Sequence, residues 1–545
     1  LGISLVIMAA TRTDQQISPA SWQSLHQFAK FVFSTAMSAL LNYLPFSKKE
    51  ERRPLPDTVE SDDIIPVHLF DDTAAARGIV LVWTLQFEDV LNPHKLSDAL
   101  SKLFEMEGWR RLGGRFRQRP DGGLEIHVPR EFTNDRPAVY FTKEEFETPM
   151  SEHPLASRLP KPTGSISTYT GPKEFCALGL RPETPRNMDD FVHSDIPQFC
   201  LHVQTFTDGT LVNLTFSHVT TDLMGLSAIF EAWSQVLAGK PEAVIPMPGY
   251  RKDVFDDMLK SPRKEPHVLA DKILDGWRFK VWGLRSLYES WRSGNIRSRT
   301  LCIPKDTIRR MMQQARSHLE EEAVNDKPFI SEGDIFAALS CLMLAKYQGR
   351  GKNRELATIM AVDPRSRARS VFLPDKAYVQ NSPTNAFVFC RANEILDLPL
   401  GKLALQVREA IQAQTTEEQL KASTALSVES MKTNSMPVVF GSTNMAAQFM
   451  SNWTKGDLAE KLDFSPAIEQ EVRLESRRGK RGHPVYYQAS DPGHNTVSAI
   501  SSVFVVVGKD YEGNTWFSNS LPQEMWTDLM DYLEQLSHAG RAPKL

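Results

Sequence analysis

Apolar and polar positions change rhythm repeatedly along the chain. Gly78 to Phe87 (GIVLVWTLQF) is a nearly continuous apolar run of strand length, and Lys95 to Phe104 carries helical spacing. Leu201 to Phe206 and Leu211 to Ser217 read as two strands joined through Thr207-Asp208-Gly209-Thr210, a hairpin signal. In the second strand Val212, Leu214 and Phe216 share one face, and Asn213, Thr215 and Ser217 the other. A helix is predicted from about Gly225 to Ala238, with Leu226, Ile229, Phe230, Trp233 and Leu237 on one stripe and Gly239 as the stop. Ser331-Glu-Gly-Asp334 looks like a capping box before a helix carrying Ile335, Phe336, Leu339, Leu342 and Met343. Further strands are predicted at 356–362, 384–390, 435–440, 498–507 and 514–518, and helices at 400–422 and 522–537. Both halves mix α and β without the strict βαβ rhythm of a parallel sheet.

Between these segments, 48–63 is charged and proline-containing and reads as a linker. Residues 146–190 read as long loops, and 245–300 as an irregular, basic, proline-containing crossover. The division that follows is an N-terminal extension and linker (1–61), a first domain (62–270), a crossover segment (271–300) and a second domain (301–545). Leu1 to Ala10 lacks a basic n-region and a small-residue cleavage site, so it does not read as a signal peptide; Met8 reads as an initiator. Phe31 to Ser47 is uncharged and reads as an amphipathic helix packed on the body or loosely ordered, with a peripheral anchor or a true span as alternatives. Trp277 to Trp291 (WRFKVWGLRSLYESW) reads as a crossover helix packing its tryptophans on the body, or else as an interfacial membrane helix.

Composition narrows the classes. With 545 residues, 41% hydrophobic and 24% charged, the chain is globular and large enough for two cores. Its 63 basic against 67 acidic residues give a net charge of −4, so no global field favours nucleic acid. The five cysteines (Cys176, Cys200, Cys302, Cys341, Cys390) are widely spaced, which excludes a disulfide framework and a CxxC zinc site and suits the cytoplasm. Cys341 and Cys390 fall in an apolar helix and strand and read as core. Asn213-Leu-Thr and Asn452-Trp-Thr match the glycosylation pattern by chance.

An HxxxD spacing occurs four times, at His68–Asp72, His94–Asp98, His218–Asp222 and His267–Asp271, so the spacing alone decides nothing. Context singles out His218. It ends an alternating strand and is followed by Thr220, Thr221 and Asp222, then Gly225 and a buried helix. A histidine fixed between rigid elements suits a general base near neutral pH. A satisfied structural histidine fits the same pattern. Asp222 could orient the imidazole, or turn away and pair with an arginine that holds the turn.

The segment LVNLTFSHVTTDLMGLSAIFEAW resembles the HxxxD region of the BAHD-type acyl-CoA-dependent acyltransferases, and is most similar to their fungal, trichothecene 3-O-acetyltransferase-like branch. VDPRSR (362–367) with YVQNSPTN (378–385) is similar to the family's V-D-x-R-x-R…Y-x-G-N segment. FISEGDIFAAL (329–339) resembles its S-x-x-D helix opening, and SNWTKGDLAEKLDFSPA (451–467) its S/N-W…DFGWG region. The ordered set spans roughly residues 62–530. Three departures stand out: DFGWG is Asp463-Phe464-Ser465-Pro466-Ala467, the glycine after HxxxD is displaced to Gly225, and the glycine before Asn381 is Gln380.

The resemblance implies a mixed α/β fold of two chloramphenicol-acetyltransferase-like domains with a channel between them. It implies acyl transfer from acyl-CoA to a hydroxyl or amine of a small, secondary-metabolite acceptor, by a cytoplasmic monomer, without nucleic acid and with peripheral contact to an internal membrane as a further option. No bound cofactor or metal is implied; acyl-CoA is a co-substrate. His218, Asp222 and Asp463 form the implied catalytic set, with His218 as the base and Asp222 paired with Arg365 or Arg367 across the domains. Asn381, Ser451, Asn452 and Trp453 are candidates to line the tunnel or donate to the oxyanion, and Gly225 is structural. A condensation-type domain using a carrier-protein thioester would usually show HHxxxDG, where this chain has Ser217. A catalytically silent ligand-binding relative is the other alternative, favoured by the eroded DFGWG loop. The basic run Arg477-Arg478-Gly479-Lys480-Arg481 reads as a solvated loop, with contact to CoA phosphates or a nuclear signal as alternatives.

Overall fold

The apolar run near residue 80 and the hairpin near residue 208 meet in one five-stranded sheet. A computed structural model describes residues 54–248, 251–260, 264–293, 296–320, 328–348, 353–470, 477–493 and 502–538; the extension that includes Phe31 to Ser47 lies outside them. The sheet runs Tyr486–Ser490, Val80–Phe87, Gly209–Ser217, Cys200–Phe206, Tyr140–Glu145. Phe206 pairs with Gly209, so the hairpin turns through Thr207 and Asp208 alone. Every residue of Gly209–Ser217 is buried, on the polar face as well as the apolar one. The polar face is satisfied internally. The Thr84 hydroxyl donates to Asn213 Oδ1 at 2.9 Å, and Asn213 Nδ2 donates to the His202 carbonyl at 3.3 Å. The loop around Gly179 covers this face so closely that a Cβ there would lie 2.5 Å from Val82 and 3.0 Å from Asn213. The part of the predicted long-loop segment 146–190 around Gly179 thus covers this face of the sheet. On the other side, helices Pro93–Glu105 and Leu223–Leu237 share one core, with Leu96, Leu100, Phe104, Leu226, Phe230 and Trp233 fully buried.

A second sheet has seven strands in the order Thr384–Arg391, Glu355–Val362, Ala446–Asn452, Ser502–Lys509, Thr515–Pro522, Ile296–Ile303, Ser167–Thr170. Helix Glu332–Gln348 is buried almost all round from Asp334 to Ala345, as a helix apolar on every face must be. It packs with Leu400–Gln414 and Gln523–His538, and Trp526 is fully buried among them. Cys341 and Cys390 are core, as the sequence suggests.

The two sheets exchange strands. Ser167–Thr170, from the long-loop segment, pairs with Ile296–Ile303, and Tyr486–Ser490 pairs antiparallel with Val80–Phe87. Ile468–Gln470 likewise pairs with Val90–Leu91.

Several expectations are corrected. The predicted helix 400–422 is two helices, Leu400–Gln414 and Glu417–Asn434; Thr416 caps the second by accepting from the Gln419 N–H, while the Gln419 side chain turns away to Val268, Glu265 and Pro266. Residues 435–440 form no strand. Ser435 takes a left-handed φ of 56° that ends the helix, and Val438, Val439 and Phe440 bury themselves as a loop with one isolated bridge from Phe440 to Ile273. The strand lies later, at Ala446–Asn452. The 245–300 region is more regular than expected, holding helices Val254–Lys260 and Gly276–Ser293 and the start of strand Ile296–Ile303. In the crossover helix Trp282 is buried on the body while Trp277 is 72% exposed. Among the described residues no helix is long and apolar enough to cross a membrane.

Only part of the basic run is a solvated loop: Lys480 and Arg481 are exposed, while Arg477 and Arg478 are half-buried in ion pairs. Arg477 grips Asp89 with bonds of 2.7 and 3.0 Å, Gly482 N donates to the same carboxylate at 2.8 Å, and Arg478 pairs with Glu88 at 2.7 Å. Asp89 is fully buried. Asp89→Ala strands Arg477 and the Gly482 N–H, and urea denaturation should show a loss of about 3 kcal/mol. Lys480→Ala, which breaks only the exposed pair with Glu460, should change stability by less than about 1 kcal/mol.

His267, one of the chance HxxxD histidines, is buried against the Phe440 ring at 4.8 Å and accepts from the Leu269 N–H at 3.2 Å. Burial pushes its pKa down to about 4, against about 6.5 in the unfolded chain. Its neutral form is the folded one. Its contribution to stability is therefore complete above the unfolded value and is lost as pH falls from there toward about 4. His267→Phe should flatten that part of the acid limb, read as urea midpoints across the pH range.

Candidate active site

His218 follows the last residue of the central strand, and its N–H donates to the Ile79 carbonyl at 2.9 Å. The chain then turns, with Thr220 N donating to the Ser217 carbonyl at 2.9 Å, and Asp222 becomes the N-cap of Leu223–Leu237. Asp222 Oδ1 accepts from Gly225 N at 2.9 Å, an ordinary capping bond. The displaced glycine has a steric reason. A Cβ on Gly225 would sit 2.1 Å from Thr221 Oγ1 and 2.7 Å from the Val379 backbone, so the helix meets the 378–385 segment only if this position is bare.

The 362–367 and 378–385 segments bring Arg365 and Asn381 to the turn. Arg365 Nη2 lies 3.0 Å from both oxygens of Asp222 and 2.7 Å from the Gln380 carbonyl, while Nε and Nη1 hold the Tyr378 carbonyl at 3.0 Å and Asp363 at 2.9 Å. Ser382 N also donates to Asp222 at 3.1 Å. Of the two candidate arginines, Arg365 is the partner; Arg367 bonds the Thr415 hydroxyl instead. Asp222 thus faces the cap and the arginine, and the imidazole is oriented by another residue.

That residue is Asn381. Its Nδ2 donates to the His218 carbonyl at 2.9 Å and to Asp71 Oδ1 at 2.9 Å, which uses both of its protons and fixes which end of the amide is which. Oδ1 then faces His218 Nδ1 at 3.1 Å. An oxygen there accepts, so Nδ1 carries the hydrogen and Nε2 holds the lone pair. The amide has no N–H left for an oxyanion, which removes the donor role considered for Asn381.

Asp71 was not singled out from sequence. It is fully buried, its Oδ1 also accepts from the Asn381 backbone N–H at 2.8 Å, and Oδ2 lies 3.3 Å from buried Arg111. Burial pushes its carboxyl above the usual range, while Arg111 and the two Asn381 N–H groups pull it back. No short-range pattern announces it, because its partners lie 40 and 310 residues away.

His218 lines a cavity of about 900 Å³ between the two sheets. Ser451, Asn452 and Trp453 reach the same cavity from the end of strand Ala446–Asn452. The Trp453 indole N–H is spent on Ser451 Oγ at 2.9 Å, leaving the Ser451 proton free. Asn452 uses its Oδ1 for Thr454, which leaves Nδ2 available. Ser451 and Asn452, with Lys455 further along the same segment, are therefore donors the cavity is offered from that side. Asp463 is not brought to the cavity. Its carboxylate is half exposed and accepts from Ser465 N at 3.0 Å, shaping the loop that lets Phe464 stack on Phe87 at 5.4 Å. The same segment clamps the helix after Asp222, through Ser227 to the Gly456 carbonyl at 2.7 Å and Ser234 to the Lys461 carbonyl at 3.2 Å. Among the described residues no cluster of His, Cys, Asp or Glu is arranged to hold a metal.

The fold is that of the two-domain acyltransferases. The crystal structure of F. graminearum TRI101 complexed with coenzyme A and deoxynivalenol matches it with a TM-score of 0.58 at 15% identity, covering 86% of this chain and 97% of that one. Sequence goes further: residues 184–473 match the model of the Transferase family. Acetyltransferase adrJ of Penicillium rubens is 34% identical over 491 residues, 89% of this chain and 98% of the relative. Acetyltransferase pyiB of Pyricularia grisea is 34% identical over 491 residues, 89% and 96% of the two chains. The chain belongs to the Transferase family, the BAHD-type acyltransferases.

Proposed function

We propose that the protein moves an acyl group, acetyl first among them, from acyl-CoA to a hydroxyl or amine of an apolar secondary metabolite, with His218 Nε2 as general base. The carrying observation is the contact between Asn381 Oδ1 and His218 Nδ1: an oxygen there takes the Nδ1 hydrogen, which leaves Nε2 as the basic nitrogen beside the cavity, with no hydrogen-bond partner among the described residues. Phe70, Leu81, Trp83, Leu223, Met224 and Trp453 line that cavity, which suits a water-poor acceptor. The relatives' names as acetyltransferases favour acetyl-CoA as donor.

Nε2 removes the acceptor's O–H or N–H proton as its oxygen or nitrogen bonds to the thioester carbonyl carbon. The carbonyl oxygen gains negative charge, for which the Ser451 hydroxyl and Asn452 Nδ2 are the candidate donors. As the C–S bond breaks, the imidazolium returns the proton to the CoA thiolate. No acyl-enzyme is needed. The test is free-CoA release from acetyl-CoA with a panel of terpenoid alcohols and amines. Acceptor-dependent release supports the reading; acyl transfer only from a loaded carrier protein refutes the donor.

A further inference from the structure

The carboxylate four residues after His218 does not serve the imidazole, yet a buried carboxylate from elsewhere in the chain stands directly behind the residue that does. We propose that Asp71 is the positioning acid of this site: it locks the Asn381 side chain so that His218 is held as the Nδ1–H tautomer with its ring plane fixed. This rests on the reading of His218 as the base.

A side-chain amide is nearly symmetric in shape, and its two ends differ only in what they donate and accept. Turned over, Asn381 would present Nδ2 to His218. The imidazole would then offer its Nδ1 lone pair and carry the hydrogen on Nε2, the nitrogen that must accept the substrate proton. Two acceptors oppose that flip, the His218 carbonyl and Asp71 Oδ1. Asp71 is the stronger, because a carboxylate oxygen accepts more strongly than an amide carbonyl. The same oxygen takes the Asn381 backbone N–H, so side chain and main chain are tied to one point. Arg111 supplies the counter-charge at 3.3 Å with both groups buried, which offsets the cost of holding the acid there. The geometry survives a change in the charge of Asp71, since a protonated carboxyl still presents a carbonyl oxygen to Asn381. The line Arg111–Asp71–Asn381–His218 thus sets the tautomer and orientation of this base as a directly bonded aspartate does in a hydrolase triad, with a neutral amide in place of the adjacent charge.

The test uses the full chain and two readouts. The first is kcat and KM for acetyl-CoA and an acceptor, in Asp71→Ala, Asn381→Ala, the double variant and Asp71→Asn. The expected result is a fall in kcat of about 10- to 100-fold for each single alanine variant with KM little changed. The double variant should be no worse than the lower single, and Asp71→Asn, which keeps an acceptor oxygen, should recover most of the rate. Should Asp71→Ala fail to fold because Arg111 is left unpaired, Asp71→Leu/Arg111→Met removes the acceptor without stranding a charge. The second readout is the ¹⁵N NMR tautomer of His218, assigned with His218→Gln. Wild type should show protonated Nδ1, and the alanine or Leu/Met variant a mixed or Nε2–H form. Additive losses, a loss carried by KM, or an unchanged tautomer in the folded variant would each overturn the proposal. The tautomer readout stands even if wild type transfers nothing from acyl-CoA, so failure of the acyl-transfer reading is seen separately.

Discussion

His218→Ala is expected to lower acyl transfer by about 10²- to 10⁴-fold while the protein stays folded. The imidazole is half-buried; the ring meets Asn381 Oδ1, and the His218 backbone bonds Asn381 Nδ2 and the Ile79 carbonyl. Alanine keeps the strand-end backbone and removes the imidazole proposed as the base at the cavity wall. The loss should therefore fall on kcat, with a residual rate from the positioned thioester and the donors at Ser451 and Asn452. His94→Ala is the matched control, because that histidine stands exposed on helix Pro93–Glu105 with its ring edge against Phe141. Following free CoA in all three proteins, with melting curves alongside, separates chemistry from folding. Equal release by all three would remove His218 from the mechanism.

The second large effect is on stability. Asp222→Ala should cost about 3 kcal/mol or more, because it breaks a largely buried pair and a helix cap together. Arg365 is left facing an empty site with side-chain exposure of only 13%, and Gly225 N loses its acceptor. The Arg365 guanidinium also ties the Tyr378 and Gln380 carbonyls, so Arg365→Ala should release the segment carrying Asn381 and reduce both stability and kcat. The double variant should be less destabilised than the sum of the singles, which a denaturation cycle measures directly. Full additivity would show that the pair does not hold the turn.

The strand, turn and helix around His218 were legible because three local patterns agree there: alternation, a polar turn and a 3.6-residue stripe. The choice of Arg365 over Arg367 was not legible, since both lie on one short loop and only its path past the Asp222 cap decides. Asn381 was seen as a candidate but its role was not, because that role depends on Asp71, far away in sequence. The missed strand Ala446–Asn452 contains Ala, Gln, Ser and Asn and has weak strand preference; its place is set by parallel neighbours on both sides. The apolar run at 436–440 invited the opposite error, because burial in a core loop and burial in a strand leave the same trace. The break at Gln414 to Glu417 was written in the sequence as a threonine N-cap and was hidden by continuous helical spacing on either side.

The exchanged strands have a consequence for synthesis. The first sheet cannot be completed until Tyr486–Ser490 has left the ribosome, some 400 residues after Val80–Phe87 did, and at roughly 5–20 residues per second that is a wait of tens of seconds. During it, one edge of Val80–Phe87 has no neighbour, and the histidine-bearing strand sits one place further in. The nascent chain is expected to need a holding chaperone over this interval, and a clone ending near residue 300 should aggregate more than the whole chain does, as read by sedimentation of the two expressed side by side.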